Sequence, residues 1–218
     1  MSRPSGLPLL LLLLILLSFG CTSSDGGLRA GFESAQYRII VAFGDSIVEG
    51  FRQAEGWPEI LGRDLSARYD GIRVINAGVS GDTAADGLAR LGRDVLDRDP
   101  DMVLISFGLN DMKNGRSVDA FASDLESLVN GIAENGARPV LLTTTRLQRG
   151  TGVLARINPE PFNEAINRIA SEKAVSLIDV YDGFRGYNTP KYLMDVAHPN
   201  TEGYRVLADI IREGLLGE

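Results

Sequence analysis

Sulfur and imidazole are scarce in this chain, whose 218 residues include one cysteine, Cys21, and one histidine, His198. A single thiol excludes an intramolecular disulfide. One histidine and one distant cysteine also fall short of the nitrogen and sulfur ligands that a zinc site uses. Basic clusters are missing too: 22 Lys and Arg stand against 29 Asp and Glu, a net charge of −7. That balance argues against nucleic acid as a partner. Neither G-x-G-x-x-G nor a P-loop follows any apolar run, so no nucleotide-phosphate cradle is expected. Asp45 has no second carboxylate two residues on, as the paired Mg²⁺ ligands of a phosphohydrolase would require. No serine sits in G-x-S-x-G, the strained elbow of the α/β-hydrolases.

What is present begins with a leader. Arg3 supplies a positive start, Leu9 to Leu17 form an unbroken apolar run, and Ser18, Phe19 and Gly20 lead into Cys21. The run is shorter than the ~20 apolar residues that span a bilayer, so residues 1–20 read as a secretory signal peptide. Cys21, directly after Gly20, resembles the cleavage site of bacterial lipoproteins, although Ser18 stands where leucine is usual. That resemblance implies a lipidated Cys21 and an exported, periplasmic protein anchored to a bacterial membrane. Residues 21–36, rich in Ser, Gly and Asp, read as a flexible tether. Residues 37–218 are long enough for one well-buried domain.

Within that domain apolar runs alternate with amphipathic stretches. Strands are expected at Arg38–Phe43, Ile72–Asn76, Met102–Phe107, Pro139–Thr143 and Val175–Val180. Helices are expected at Trp57–Tyr69, Thr83–Arg98, Val118–Asn135, Pro159–Lys173 and Thr201–Leu215, the last capped by Asn200 or Thr201. Alternation of this kind implies a parallel sheet with helices on both faces, and reactive groups at the carboxyl ends of its strands.

The polar segments fall where that rule puts them. Gly44-Asp45-Ser46 follows the first strand, Ser80-Gly81-Asp82 the second and Gly108-Leu109-Asn110 the third, while Asp195 and His198 follow the fifth at a distance. Ser46 is a candidate nucleophile that needs a base, and His198 is the imidazole available to be one. Asp195, three residues earlier, can reach the ring's Nδ1 if the segment makes one turn. The Gly81 and Ser46 N–H groups and the Asn110 carboxamide are candidate donors to an oxyanion. Each feature alone also fits a bland role: Asp45 and Asn110 as helix caps, Gly81 as a turn residue, His198 as a surface ring.

Together and in this order, FGDSIVEG, NAGVSGDTAADGLARL, FGLND and DVAHP resemble the four blocks of the SGNH hydrolases, also called GDSL esterases. The SGDT…GLARL stretch is similar to the bacterial arylesterase and thioesterase I/lysophospholipase branch. The resemblance implies a three-layer α/β/α sandwich with a five-stranded, mainly parallel sheet. It implies acyl transfer through Ser46, His198 and Asp195, with Ser46, Gly81 and Asn110 as oxyanion donors and neither metal nor organic cofactor. The substrate would be a small-molecule or lipid ester, with carbohydrate O-acetyl groups or a non-catalytic lipid- or glycan-binding role as alternatives. Ile47, Leu109 and Met112 are candidate pocket residues, with the loop from Arg146 to Pro161, and with Phe51 and Trp57 further out. Asp111–Ser117, which contains Gly115, is expected as a mobile loop. Two departures stand out: Ile47 where the family name has leucine, and Leu109 where a second glycine is frequent.

Overall fold

A computed structural model describes residues 24–148 and 157–218. The expected signal peptide, Cys21 and part of the Arg146–Pro161 loop lie outside the described residues.

All five apolar runs become strands: β1 Ile39–Gly44, β2 Arg73–Gly78, β3 Met102–Ser106, β4 Arg138–Leu142 and β5 Ser176–Ile178. Their order is β2-β1-β3-β4-β5, and every neighbouring pair is parallel. Successive side chains leave opposite faces of a strand, so each run feeds two cores. Ile40, Ala42, Met102, Leu104, Val140 and Leu142 pack with residues of α3 (Trp57–Arg68) and α9 (Thr201–Leu216). Val41, Phe43, Val103, Ile105 and Leu141 pack instead with α4 (Ala84–Asp94), α6 (Val118–Glu134) and α7 (Glu160–Lys173). The result is the expected three-layer sandwich, with a sheet that is parallel throughout.

Some boundaries differ from expectation for local reasons. The helix after Thr83 ends at Asp94, because Val95 leaves helical geometry and a 3₁₀ turn, Leu96–Arg98, follows. The last strand stops at Ile178, where the Asp179 side chain accepts the Asp182 N–H and starts the short helix α8 (Val180–Gly183). Of the two expected caps Asn200 is the one that caps α9, accepting the Gly203 N–H.

The tether reading needs correction over most of its length. Ser24–Glu33 is a helix, α1, and it lies against α9. Leu28 and Phe32, four residues apart and therefore on one face, are each 2% exposed. The Phe32 ring meets Tyr37 edge-on at 5.3 Å and Tyr69 at 5.6 Å. A polar, glycine-rich composition concealed one apolar pair at helical spacing. In the full chain, Phe32→Ala should lower the unfolding free energy by about 3 kcal/mol. Arg29→Ala, which breaks an exposed ion pair, should leave stability nearly unchanged. Urea midpoints measure both, and equal midpoints would mean that α1 does not pack as described.

Candidate active site

Strand β1 lies between β2 and β3, with Gly44 level with Gly78 on one side and Ser106 on the other. The chain therefore reverses direction across the sheet at β1, and a crevice opens beyond the three strand ends. Into it project α2 (Ser46–Glu49), the turn from Val79 to Thr83 and α5 (Leu109–Lys113).

Ser46 occupies the first position of α2, whose cap Asp45 accepts the Ile47 N–H at 2.9 Å. Its Oγ is 3.0 Å from His198 Nε2, and His198 Nδ1 is 2.8 Å from Asp195 Oδ2. The other Asp195 oxygen accepts the Ala197 and His198 N–H groups at 2.9 and 2.8 Å, the single turn that the spacing required. Leu193 and Pro199 close this loop as an antiparallel bridge. Partial burial alone would raise the Asp195 carboxyl. The two backbone donors and the imidazole outweigh that effect and hold it below its ordinary value. Phe51 stacks on the imidazole at 4.0 Å between ring centroids.

The three residues expected to supply oxyanion donors, Ser46, Gly81 and Asn110, line the same crevice. Among the described residues neither the Ser46 nor the Gly81 N–H has an acceptor. Gly81 has φ +92°, with open space where a Cβ would sit, so conformation and not crowding calls for glycine there. Asn110 Nδ2 donates to the Asp82 carbonyl at 3.0 Å and lies 3.4 Å from Asp45 Oδ2. The first contact orients the amide. The second is long enough for its hydrogen to turn to a better acceptor. Gly108, at φ +129°, takes the backbone conformation that leads into α5. Leu109 is an ordinary helical residue, so the family's second glycine is not needed.

The crevice encloses about 590 Å³ and is walled by Phe51, Leu109, Lys113, Leu147, Ile157 and Val196 around the polar groups. Of the expected pocket residues Leu109 lines it. Ile47 and Trp57 are 3% and 1% exposed and belong to the core, because α2 and α3 turn those faces inward. Met112 lines an adjoining cavity with Arg116 and Phe162, which shares Lys113 and Ile157 with the crevice. Phe51, expected further out, touches the imidazole directly. Lys113 was missed, though its spacing of three from Asn110 puts both on one helical face.

Part of the loop expected over Asp111–Ser117 belongs to α5, and residues 114–117 form the turn into α6. Residues 109–113 are helical, and Asp111 is fully buried, accepting the Ala84 N–H at 3.1 Å with Arg116 3.3 Å away. Burial raises the Asp111 carboxyl against both partners. Among the described residues no group of three His, Cys, Asp or Glu side chains is placed to hold a metal ion.

Burial likewise pushes the Asp45 carboxyl up, from 3.8 to about 7, with the Ile47 N–H opposing and Asp111 and Asp82 adding to the rise. The folded protein thus keeps a proton that the unfolded chain releases near pH 4. Stability should fall as pH rises from about 4 to 7, by up to about 4 kcal/mol. Asp45→Asn removes the ionisation and should flatten that slope in urea titrations. A slope unchanged in the variant would assign it to other groups.

Comparison with known proteins agrees with this geometry. The profile of the GDSL-like Lipase/Acylhydrolase family matches residues 42–206. An arylesterase of Vibrio mimicus is 28% identical over 94% of this chain and 97% of its own length. The thioesterase 1/protease 1/lysophospholipase L1 of Escherichia coli is 29% identical over 82% and 83%. An uncharacterized lipoprotein, YqeF, of Bacillus subtilis is 32% identical over 56% and 55%. Among solved structures, a lipase/acylhydrolase from Enterococcus faecalis superposes with a TM-score of 0.73 at 30% identity, over 83% of this chain and 96% of that one. On the profile, which covers most of the folded domain, the chain belongs to the GDSL-like lipase/acylhydrolase family and is an esterase/acylhydrolase.

Proposed function

We propose that the protein is a serine esterase that cleaves small carboxylic esters or thioesters through an acyl-enzyme on Ser46. The observation that carries this reading is the unbroken line Ser46 Oγ, His198 Nε2, His198 Nδ1, Asp195 Oδ2, with steps of 3.0 and 2.8 Å. Attack of Ser46 Oγ on the ester carbonyl passes the hydroxyl proton to His198 Nε2. Asp195, ionised well into acid, stabilises the imidazolium that results. The carbonyl oxygen, now negative, takes hydrogen bonds from the Ser46 and Gly81 N–H groups and from Asn110. Collapse expels the alcohol or thiol, which leaves with the proton from His198. Water then repeats the sequence in reverse, losing its proton to His198 and releasing the acid and Ser46.

The walls of the crevice favour apolar acyl or aryl groups, since Phe51, Leu109, Leu147, Ile157 and Val196 surround the reacting atoms. The arylesterase and thioesterase relatives support the same substrate class. Cys21 is the proposed lipid attachment point, supported by the short apolar leader before it and by the lipoprotein relative. Each buried methylene of such an anchor contributes ~0.8 kcal/mol to membrane binding.

The full chain, assayed on p-nitrophenyl esters from acetate to palmitate, should be active. Ser46→Ala should fall to background, and Asn110→Ala should lose about 10²- to 10³-fold in kcat. Activity that survives in Ser46→Ala would end the serine reading, and activity confined to acetate would favour O-acetyl groups on carbohydrate. Incorporation of labelled palmitate in a bacterial host should disappear in Cys21→Ser, and equal labelling of both proteins would exclude that attachment point.

A further inference from the structure

Arg90, on α4, is 9% exposed, and its side chain runs inward beneath the candidate site. Its Nε donates to Asp82 Oδ2 at 2.6 Å. Nη1 donates to the Ala77 carbonyl at 2.8 Å and to Asp94 Oδ2 at 3.3 Å, and Nη2 to the Gly44 carbonyl at 2.9 Å. The guanidinium carbon stands 4.5 Å above the Phe43 ring. One planar group thus reaches the end of β1, the end of β2 and the turn beyond β2.

We propose that Arg90 is the positioning residue of the oxyanion donors, an inference that rests on the serine-esterase reading above. Two of its contacts, Gly44 and Asp82, stand close in the chain to proposed donors. Gly44 lies two residues before Ser46, and Asp82 directly follows Gly81. The Asp82 carbonyl holds the Asn110 amide at 3.0 Å, so the same residue that Arg90 grips by its side chain aims the third donor by its backbone. Asp86 and Arg116 hold the Thr83 end of the turn, but from Val79 to Asp82 it has few other bonds of its own. Val79 N–H reaches Gly44 O at 3.0 Å, Asp82 N–H reaches Val79 O at 3.2 Å, and Ser80 Oγ contacts Glu49.

Arginine is required by geometry. Its rigid fork serves several acceptors in one plane, whereas a lysine ammonium on a flexible stem would satisfy the charge of Asp82 without also holding both strand-end carbonyls. Arg90 touches no reacting atom and acts through the turn. Displacement of a donor by a fraction of an ångström weakens a contact made in the transition state while leaving substrate binding by the apolar walls intact.

The test uses Arg90→Lys and Asp82→Asn in the full chain, with kcat and KM on p-nitrophenyl butyrate and backbone amide exchange read residue by residue. Arg90→Lys should lower kcat about 100-fold with KM within about threefold of the parent, the signature of a contact made in the transition state. Asp82→Asn, which keeps the turn's carbonyls, should lower kcat about 10-fold. Exchange at Val79 and Asp82, whose N–H groups are hydrogen-bonded to Gly44 and Val79, should quicken at least about tenfold in both variants while α6 stays protected. An unchanged kcat would overturn the proposal. So would a loss of protection spread evenly through the domain, since that marks a structural role only. If the parent enzyme cleaves no ester through Ser46, the esterase reading fails. Exchange at Val79 and Asp82 then decides by itself whether Arg90 holds the turn.

Discussion

Gly44 pairs with Gly78 on one side and Ser106 on the other, and this shared register sets the position of everything above the sheet. Three loops leave from one level, so Ser46, Gly81 and Asn110 need only short excursions to meet. A slip of one residue in either pairing would send each strand's side chains to the opposite face and carry a donor away from the serine. The two cores beneath oppose such a slip, because Val41 and Phe43 belong to one and Ile40 and Ala42 to the other.

The imidazole reaches the same place by another route. Ser46 and His198 are 152 residues apart in sequence, yet the ring's orientation is settled locally. Asp195 holds the His198 N–H and Nδ1, Met194 N–H bonds the His198 carbonyl, and Asn200 both closes the loop and caps α9. Docking then requires few long-range contacts. Gln53 supplies two, taking the Thr201 hydroxyl proton at 2.8 Å and facing the Met194 sulfur at 3.5 Å, and Phe51 covers the ring. An imidazole ordered before it docks leaves little freedom to be lost at the serine.

Charge presents the opposite problem. Asp45, Asp82 and Asp111 all lie beneath a site proposed to stabilise a negative oxygen. Arg90 neutralises Asp82 at 2.6 Å and Arg116 faces Asp111 at 3.3 Å. Asp45 has no such partner, and burial keeps its proton on up to about pH 7. Two ion pairs and one retained proton thereby limit the field that these acids would otherwise direct at the donors.

Much of this was legible in the chain itself. Near-continuous apolar runs such as RIIVAF and MVLISF, separated by amphipathic stretches, determined a parallel sheet with helices on both faces. The rule that sites form beyond strand ends then singled out Ser46, Gly81, Asn110, Asp195 and His198, all of which meet in one crevice. Spacing of three also determined the Asp195–His198 turn, because that geometry is local. Only the tertiary structure decided which neighbours face the crevice: Ile47 and Trp57 turn into the core while Phe51 covers the imidazole, because facing depends on how α2 and α3 dock and not on residue type. It likewise turned a supposed tether into α1, where Leu28 and Phe32 find a partner surface on a helix more than 160 residues away in sequence. Arg90 marks the limit of sequence reading. Its place at helical spacing reads as one more solvated charge until the fold brings two strand ends and a turn to its five donors.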